Sequence, residues 1–165
     1  MFEEMKREVK DWANEDEVAD YLRRLLHKDA FDHAGLIYGV GHAIYSKSDP
    51  RAVIFKSFVE KLSVEKHLEK EFALYSLVET LAPKVIADER QMYKGVSINV
   101  DFYSGFVYQM LGLPLELYTP IFAIARIVGW SAHRMEELAN NGKIIRPAYK
   151  PITEDLAYVE MKKRC

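Results

Sequence analysis

The chain has 165 residues, of which 49% are apolar, and its 23 basic and 25 acidic side chains leave a formal net charge of −2. This composition argues against disorder, allows one sizeable core, and lacks the basic excess that binds a nucleic-acid backbone. No apolar run is long enough to cross a bilayer, the first residues lack a signal-peptide pattern, and the single cysteine, Cys165, excludes an internal disulfide or a thiolate metal site. We therefore expect a cytoplasmic protein with neither nucleic-acid nor membrane partners.

Helical patterns begin at the N-terminus. The charged segment after Met1 is typical of a helix. Asn14 followed by Glu17 forms a capping box, which predicts a helix from about Glu15 to His27. The following stretch, Asp29 to Ser48, contains three glycines and no sustained period, so it predicts a loop whose backbone can approach a ligand.

The middle of the chain predicts three further helices. Asp49 and Pro50 supply an N-cap and a proline in the first turn of one helix. A second apolar period starts near Leu68, and Pro83 is predicted to end it and to start a short third helix that reaches Met92. The residues expected to form the apolar face of the first of these helices are Val53, Ile54, Phe58 and Leu62.

The C-terminal part predicts two helices and an arm. Asp101 opens a helix that stops at Gly112, and Thr119 starts a long helix that ends near Asn140, where Asn141 tolerates the left-handed conformation. Prolines between Lys143 and Cys165 discourage regular structure and indicate an extended arm. Since no segment alternates as a strand does, the predicted fold class is all-α.

Four segments carry a resemblance to a known family. They are Gly39 to Tyr45, Asp49 to Arg51, Ile98 to Gly105, and Thr119 to Arg126, and together they resemble the C-terminal part of citrate synthases over nearly the whole chain. The resemblance implies a small domain of packed helices at 1–107, followed at 108–165 by a long large-domain helix and an extended C-terminal arm. It also implies an incomplete enzyme, because the family's earlier catalytic histidine, in a His-Gly-Gly type motif, has no counterpart after Met1. The missing N-terminal portion of the same enzyme is then an expected partner.

His42 and Asp101 are the candidate catalytic residues. A histidine after glycines is an ordinary hydrogen-bonding residue in most proteins, although its imidazole can exchange a proton near neutral pH. An acid at a helix start either caps the helix or, kept ionised by the helix dipole, can act as a base. The resemblance implies that His42 polarises the keto oxygen of oxaloacetate and that Asp101 removes a methyl proton from acetyl-CoA.

Arginines are candidate carboxylate ligands, because a guanidinium can donate two parallel hydrogen bonds to a carboxylate. Arg51 is either such a ligand or a surface charge paired with Glu60 or Glu65. Arg126 lies in an apolar run, where it needs a partner that is either a ligand carboxylate or a structural acid such as Glu136. The resemblance implies that both arginines bind substrate.

The resemblance also assigns the remaining site residues. Arg146 matches an arginine that enters the neighbouring subunit's site in a homodimer, and Phe122 matches an aromatic residue of the acetyl pocket. No permanently bound cofactor or metal is implied, since the coenzyme A thioester is a substrate. Ala43 and Ser46 replace an arginine and a lysine of many bacterial members, which leaves the phosphate contacts of coenzyme A unassigned. The expected coenzyme ligands are Leu36, Ile37, Tyr38, Gly39, Val40, Gly41, Lys47 and Asn99.

Two classes of function follow from these residues. The resemblance implies a tricarboxylic acid cycle acyltransferase that condenses acetyl-CoA with oxaloacetate to citrate and coenzyme A, and we expect this fragment of it to be inactive by itself. A 2-methylcitrate synthase would use propionyl-CoA instead, and one methylene is worth about 1 to 3 kcal/mol of discrimination. The alternative class is a non-catalytic module for coenzyme A binding or assembly. An upstream reading frame that encodes the missing histidine motif would favour the enzyme.

Overall fold

The structure, a computed structural model, describes residues 1–91, 94–142 and 160–163. Within these ranges, short 3₁₀ turns at Leu115–Leu117 and Met161–Lys163 accompany six α-helices. One antiparallel bridge between Val40 and Ile98 is the extended pairing in the described part of the chain. The predicted all-α fold is therefore confirmed. The helices are α1 (Phe2–Glu8), α2 (Glu15–Leu26), α3 (Pro50–Glu65), α4 (Glu69–Arg90), α5 (Asp101–Met110) and α6 (Tyr118–Ala139).

The chain divides into two compact units, Met1–Phe122 and Ala123–Cys165. In the first unit, α4 packs against α2 and α3, and α3 also packs against α5. Its core is apolar, and burial of each large apolar side chain is worth about 1.5 to 3 kcal/mol. Fully buried members of this core include Val18, Leu22, Leu74, Val78 and Phe106.

The start of α2 follows the predicted capping pattern with one change. The Asn14 side chain accepts from the backbone N–H groups of Asp16 and Glu17, at 3.0 and 3.3 Å. The Glu17 carboxylate, however, accepts from the backbone of Lys10 and Asp11 rather than from Asn14. Helix α2 is thereby capped and also tied to the segment that leads away from α1.

Aromatic packing fixes the position of α5. Tyr75 of α4 stacks on Phe106 with ring centroids 4.5 Å apart, a contact worth about 0.5 to 1.5 kcal/mol beyond its area. The buried Tyr103 hydroxyl donates to Glu79 at 2.6 Å, and the same carboxylate accepts from Lys56 of α3 at 2.6 Å. Burial together with this carboxylate raises the pKa of Tyr103. Helix α5 is thus held by α3 and α4 along its buried side, while its first residue is exposed.

Helix α4 continues through Pro83, so the prediction of a new helix at this proline was wrong. Proline lacks the N–H that would bond to the carbonyl four residues earlier, a defect that costs about 3 kcal/mol or more. Buried residues on both sides of the defect, among them Val78, Ala82 and Val85, pack into the core and offset that cost. The helix ends at Arg90, followed by Gln91 in the left-handed conformation with φ 48°.

The predicted apolar face of α3 was also wrong. Val53, Ile54 and Phe58 are exposed. The buried residues are Ala52, Val59 and Ser63, with Phe55 and Leu62 partly buried beside them. The sequence of α3 carries apolar residues around most of its circumference, so periodicity does not select one face. Packing against α4 and α5 selects the face with the small residues.

Helix α6 ends as predicted. Asn141 has φ 47°, and the Gly142 N–H donates to the carbonyl of Glu137 at 2.9 Å, which closes the helix end. No residue of α6 is buried in the described chain, although the helix is rich in apolar side chains. Most of the predicted arm, 143–159, lies outside the described residues. Across the part that is described, no helix is both long and apolar enough to span a membrane.

Candidate active site

Two segments that are far apart in sequence meet at the single extended bridge of the described chain. The Gly41 N–H donates to the carbonyl of Ser97 at 2.8 Å, and the Asn99 N–H donates to the carbonyl of Gly39 at 2.9 Å. The predicted ligand loop therefore lies beside the residues that lead into α5. This pairing places His42 and Asp101 at the ends of the two adjoining segments.

The side chain of Asn99 joins these two segments a second time. Its Nδ2 donates to the carbonyl of Gly41 at 2.9 Å, and its Oδ1 accepts from the backbone N–H of Asp101 at 3.0 Å. Asn99 thus satisfies a free N–H at the start of α5, and the N-cap Val100 supplies no side-chain bond. The suggestion that Asp101 itself caps the helix is not what the structure shows. The Asp101 carboxylate instead lies exposed at the positive end of α5.

The imidazole of His42 is oriented by its own loop. Its Nδ1 accepts from the backbone N–H groups of Ile44 at 3.0 Å and Tyr45 at 3.2 Å. A nitrogen that accepts these bonds carries no proton, so we assign the proton of the neutral ring to Nε2. That Nε2 lies 3.3 Å from Nη2 of Arg51. Two N–H donors therefore converge, and an oxygen of a carbonyl or carboxylate is the acceptor that both could share.

Arg51 pairs with Asp49, so the alternative pairing with Glu60 or Glu65 was wrong. The Asp49 carboxylate accepts from Nε of Arg51 at 3.0 Å and from Nη2 at 2.8 Å, and it also accepts from the Arg51 backbone N–H at 3.0 Å. Asp49 is fully buried and caps α3.

The electrostatics of this group agree with its geometry. The hydrogen bonds from Arg51 hold the pKa of Asp49 at about 2. Hydrogen bonding to Asp49 raises the pKa of Arg51, and the charge of Asp101 acts in the same direction. Asp101 therefore lies within electrostatic range of Arg51. The structure brings together three of the predicted site residues: His42, Arg51 and Asp101.

Tyr45 is a further residue of this site that the sequence patterns did not identify. Its ring centroid lies 4.8 Å from that of His42, and the Arg51 guanidinium carbon lies 5.5 Å above the same ring. A tyrosine after Ala43 and Ile44 reads in sequence as an ordinary packing residue. Its position only three residues after the histidine was the available signal.

Only some side chains of the predicted coenzyme loop are accessible to a ligand. Leu36 and Tyr38 are exposed, and Tyr38 donates its hydroxyl to the Asp32 carboxylate. Ile37 is buried in the core, so its side chain cannot reach a ligand. Gly41 has φ 99° and open space where a side chain would lie.

Lys47 borders a cavity that is also lined by Ile98, one of the two bridge residues. Lys47 is exposed, and the cavity, of about 180 Å³, is further lined by Asp49, Glu79 and Ser97. The Ser97 hydroxyl is buried without a hydrogen-bond partner in this cavity wall. Lys47 is thus the one predicted coenzyme ligand that opens on a recess rather than on the glycine loop.

Three of the predicted substrate ligands lie in or after α6. Phe122 and Arg126 are exposed on α6, where Phe122 ends the first compact unit and Arg126 belongs to the second. Arg146 lies outside the described residues. The roles of all three stay predictions.

Gly39→Ala should destabilise the fold by about 2 to 4 kcal/mol. Gly39 has φ 81°, and a Cβ there would lie 2.8 Å from the Cα of Phe102. Gly41→Ala is the matched control, because Gly41 also has a positive φ but its Cβ would meet nothing within 4 Å. The control should cost only about 1 to 2 kcal/mol, from backbone strain alone. Urea unfolding measures both, and equal losses would contradict a close approach of the loop to α5.

Acid should destabilise the fold through Asp49. Its carboxyl has a pKa of about 2 in the folded chain, against about 3.9 for an unfolded aspartate, so the unfolded state binds more protons between these values. The contribution of Asp49 is therefore complete above the unfolded pKa and is lost as the pH falls through the folded pKa. In urea unfolding across this range, Asp49→Asn should lose stability less steeply than the unmodified chain. Parallel pH profiles would show that the ion pair with Arg51 is not formed.

Comparisons with known proteins agree with one another. A family model described as citrate synthase, C-terminal domain, matches residues 1–148. The citrate synthase of Synechocystis sp. is 40% identical over 129 residues, which covers 78% of this chain and 31% of the relative. The 2-methylcitrate synthase of Shewanella oneidensis is 34% identical over 140 residues, covering 85% of this chain and 34% of the relative.

Solved structures give the same result. Citrate synthase from Thermoplasma acidophilum, in a ternary complex with carboxymethyl coenzyme A and oxaloacetate, matches with a TM-score of 0.63 at 30% identity over 99% of this chain and 40% of that chain. Citrate synthase from Thermotoga maritima matches with a TM-score of 0.59 at 29% identity, over 99% of this chain and 42% of that chain. The chain spans about a third of the length of the curated relatives it matches.

Proposed function

The chain belongs to the citrate synthase family, and from that premise we propose that it supplies the oxaloacetate-binding and proton-abstracting part of such an enzyme. The complete enzyme would condense acetyl-CoA with oxaloacetate and release citrate and coenzyme A. One observation carries the proposal: Nε2 of His42 and Nη2 of Arg51 lie 3.3 Å apart as converging donors, with the Asp101 carboxylate within electrostatic range of Arg51.

The convergent donors fit a keto acid. Nε2–H of His42 would donate to the keto oxygen of oxaloacetate, which polarises the carbonyl and stabilises the negative charge that forms on attack. Asp49 binds Nε and Nη2 of Arg51, which leaves Nη1 to bind the neighbouring carboxylate of the substrate. The anchored guanidinium would thus hold the substrate while His42 activates it. Arg126, and Arg146 from a second subunit, would bind the other carboxylate group of oxaloacetate.

Asp101 would act as the base. Its carboxylate is exposed and belongs to the first residue of α5, next to His42 and Arg51. It would take a proton from the methyl group of acetyl-CoA, and the resulting carbon nucleophile would attack the polarised carbonyl of oxaloacetate. Hydrolysis of citryl-CoA then yields citrate and coenzyme A. A carboxylate is a weak base for a carbon acid, so a donor to the thioester oxygen is also required. We propose that the N-terminal portion of a complete enzyme supplies this donor.

The glycine loop would hold coenzyme A. Leu36 and Tyr38 are exposed and Gly41 has open space beside it, so this edge of the loop is accessible to coenzyme A. Lys47 offers a cation to a phosphate, and Asn99 borders the loop. Phe122 would line the acetyl pocket once α6 is packed against the rest of the enzyme.

A fusion enzyme tests this function. The N-terminal portion of the Synechocystis citrate synthase that lies outside the match would be joined to this chain, and coenzyme A release would be followed with oxaloacetate. We expect turnover with acetyl-CoA. A folded, oxaloacetate-binding fusion without turnover would contradict the proposal.

The same fusion decides between two acyl donors. Because a 2-methylcitrate synthase is 34% identical to this chain, propionyl-CoA is the second candidate for the acyl donor. The selectivity available from one methylene is about 10- to 200-fold, which a side-by-side assay resolves. We expect acetyl-CoA to be preferred, and a preference for propionyl-CoA would assign the chain to 2-methylcitrate synthesis.

The isolated chain should self-associate. Val128 is 79% exposed on α6, and Ile124, Trp130 and Met135 are exposed on the same helix, whereas monomers seldom leave large apolar patches in water. We propose a homodimer in which this helix is covered. Light scattering across a dilution series should show a mass above that of one chain, and Ile124→Glu with Val128→Glu should reduce it. A monomer at high concentration that binds no hydrophobic dye would contradict this prediction.

A further inference from the structure

We infer that Tyr45 is a positioning residue whose ring holds the His42 imidazole and the Arg51 guanidinium side by side, so that their N–H donors converge on one oxygen. The identity of the oxygen-bearing ligand rests on the proposed function, but the positioning itself rests on geometry alone. Tyr45 itself would not touch the reacting atoms.

Tyr45 contacts His42 in two ways. Its backbone N–H donates to Nδ1 of the imidazole at 3.2 Å, and its ring centroid lies 4.8 Å from the imidazole centroid at an interplanar angle of 40°. The first contact selects the tautomer, since it occupies Nδ1 with an incoming donor. The second restricts rotation of the ring about its χ angles. Together they direct Nε2–H away from the loop.

The same ring also limits where Arg51 can go. The guanidinium carbon of Arg51 lies 5.5 Å from the Tyr45 ring centroid, within the range of a cation–π contact. Asp49 binds one edge of the guanidinium through Nε and Nη2. With one edge bound by a carboxylate and one face placed over a ring, a side chain that is 52% exposed is restricted to one orientation.

The close approach of His42 and Arg51 needs the support of Tyr45, because two N–H donors that face each other repel. Nε2 of His42 and Nη2 of Arg51 are 3.3 Å apart, and neither can accept a hydrogen bond from the other in the assigned tautomer. Left alone, an exposed guanidinium would turn toward water. The negative face of the Tyr45 ring attracts the cation and offsets that tendency. These contacts use the ring and the backbone, so the hydroxyl is dispensable.

Nitrogen NMR of the whole chain tests this role without any substrate. In the unmodified chain and in Tyr45→Phe, His42 should be the Nε2–H tautomer and the Arg51 Nε–H should exchange slowly with water. In Tyr45→Leu, the tautomer should persist, because backbone N–H groups of Ile44 and residue 45 set it, while the Arg51 Nε–H should exchange about 2- to 5-fold faster, as expected for loss of a cation–π contact. Phe58→Leu, which removes an exposed ring on α3, is the matched control and should change neither signal. An unchanged Arg51 Nε–H exchange rate in Tyr45→Leu would overturn the inference.

A second measurement holds even if Tyr45→Leu does not fold. Nuclear Overhauser contacts from the Tyr45 ring protons to both the His42 ring and the Arg51 Cδ protons should appear in the unmodified chain, and their absence would overturn the inference. Calorimetry with oxaloacetate adds a functional readout. The dissociation constant of oxaloacetate should rise about 5-fold in Tyr45→Leu, corresponding to one lost contact with a guanidinium, and stay within about twofold in Tyr45→Phe. An unmodified chain that binds no oxaloacetate would count against the proposed function, whereas the NMR signals decide the role of Tyr45.

Discussion

In the fusion enzyme, Asp101→Asn should lower the rate of condensation by about 10²- to 10⁴-fold, the range supplied by a positioned general base. The amide keeps the shape of the carboxylate but cannot take up a proton. The fold should tolerate the change, because Asn99 caps α5 and the carboxylate plays no part in capping. Oxaloacetate binding should therefore stay close to normal, and calorimetry measures it alongside turnover.

Two companion variants make this result specific. His42→Ala should weaken both oxaloacetate binding and turnover, since it removes the donor to the keto oxygen. Asp88→Asn, which changes an exposed acid on α4, should alter neither. If Asp101→Asn retained near-normal turnover, the base assignment would be wrong, whatever the binding data show.

The isolated chain should form no detectable citrate from acetyl-CoA and oxaloacetate. A donor that stabilises the developing enolate is worth about 3 kcal/mol or more, and the candidate site described above contains no residue proposed for that role. A thiol-release assay compares the purified chain with the fusion at equal site concentration. Adding the separately expressed N-terminal portion of the relative should restore part of the activity. Turnover by the chain alone near that of an intact citrate synthase would overturn this prediction.

The linear motifs named the charged residues of the site but not their supports. In the sequence, His42 follows a glycine, Arg51 follows the helix cap Asp49, and Asp101 opens a helix. These positions made all three residues candidates. Tyr45 and the buried carboxylate of Asp49 act through contacts with those residues. Such contacts depend on the directions of side chains in a loop. A loop has no periodic pattern from which these directions can be predicted.

Local chemistry alone determined most helix ends. The caps Asn14 and Asp49 and the left-handed Asn141 act on backbone groups within four residues of themselves, so their effect can be read from the chain. The all-α class followed in the same way from helical periods and the absence of alternation. These features therefore required no knowledge of neighbouring helices.

Tertiary packing decided the rest. Helix α4 continues through Pro83 because burial on both sides offsets a lost hydrogen bond, and α3 buries Ala52 and Val59 rather than Val53 because α4 and α5 lie on that side. The bridge between Val40 and Ile98 joins residues far apart in the chain. Periodicity shows which side chains are apolar, but only the positions of neighbouring elements determine which of them are buried and which distant residues meet.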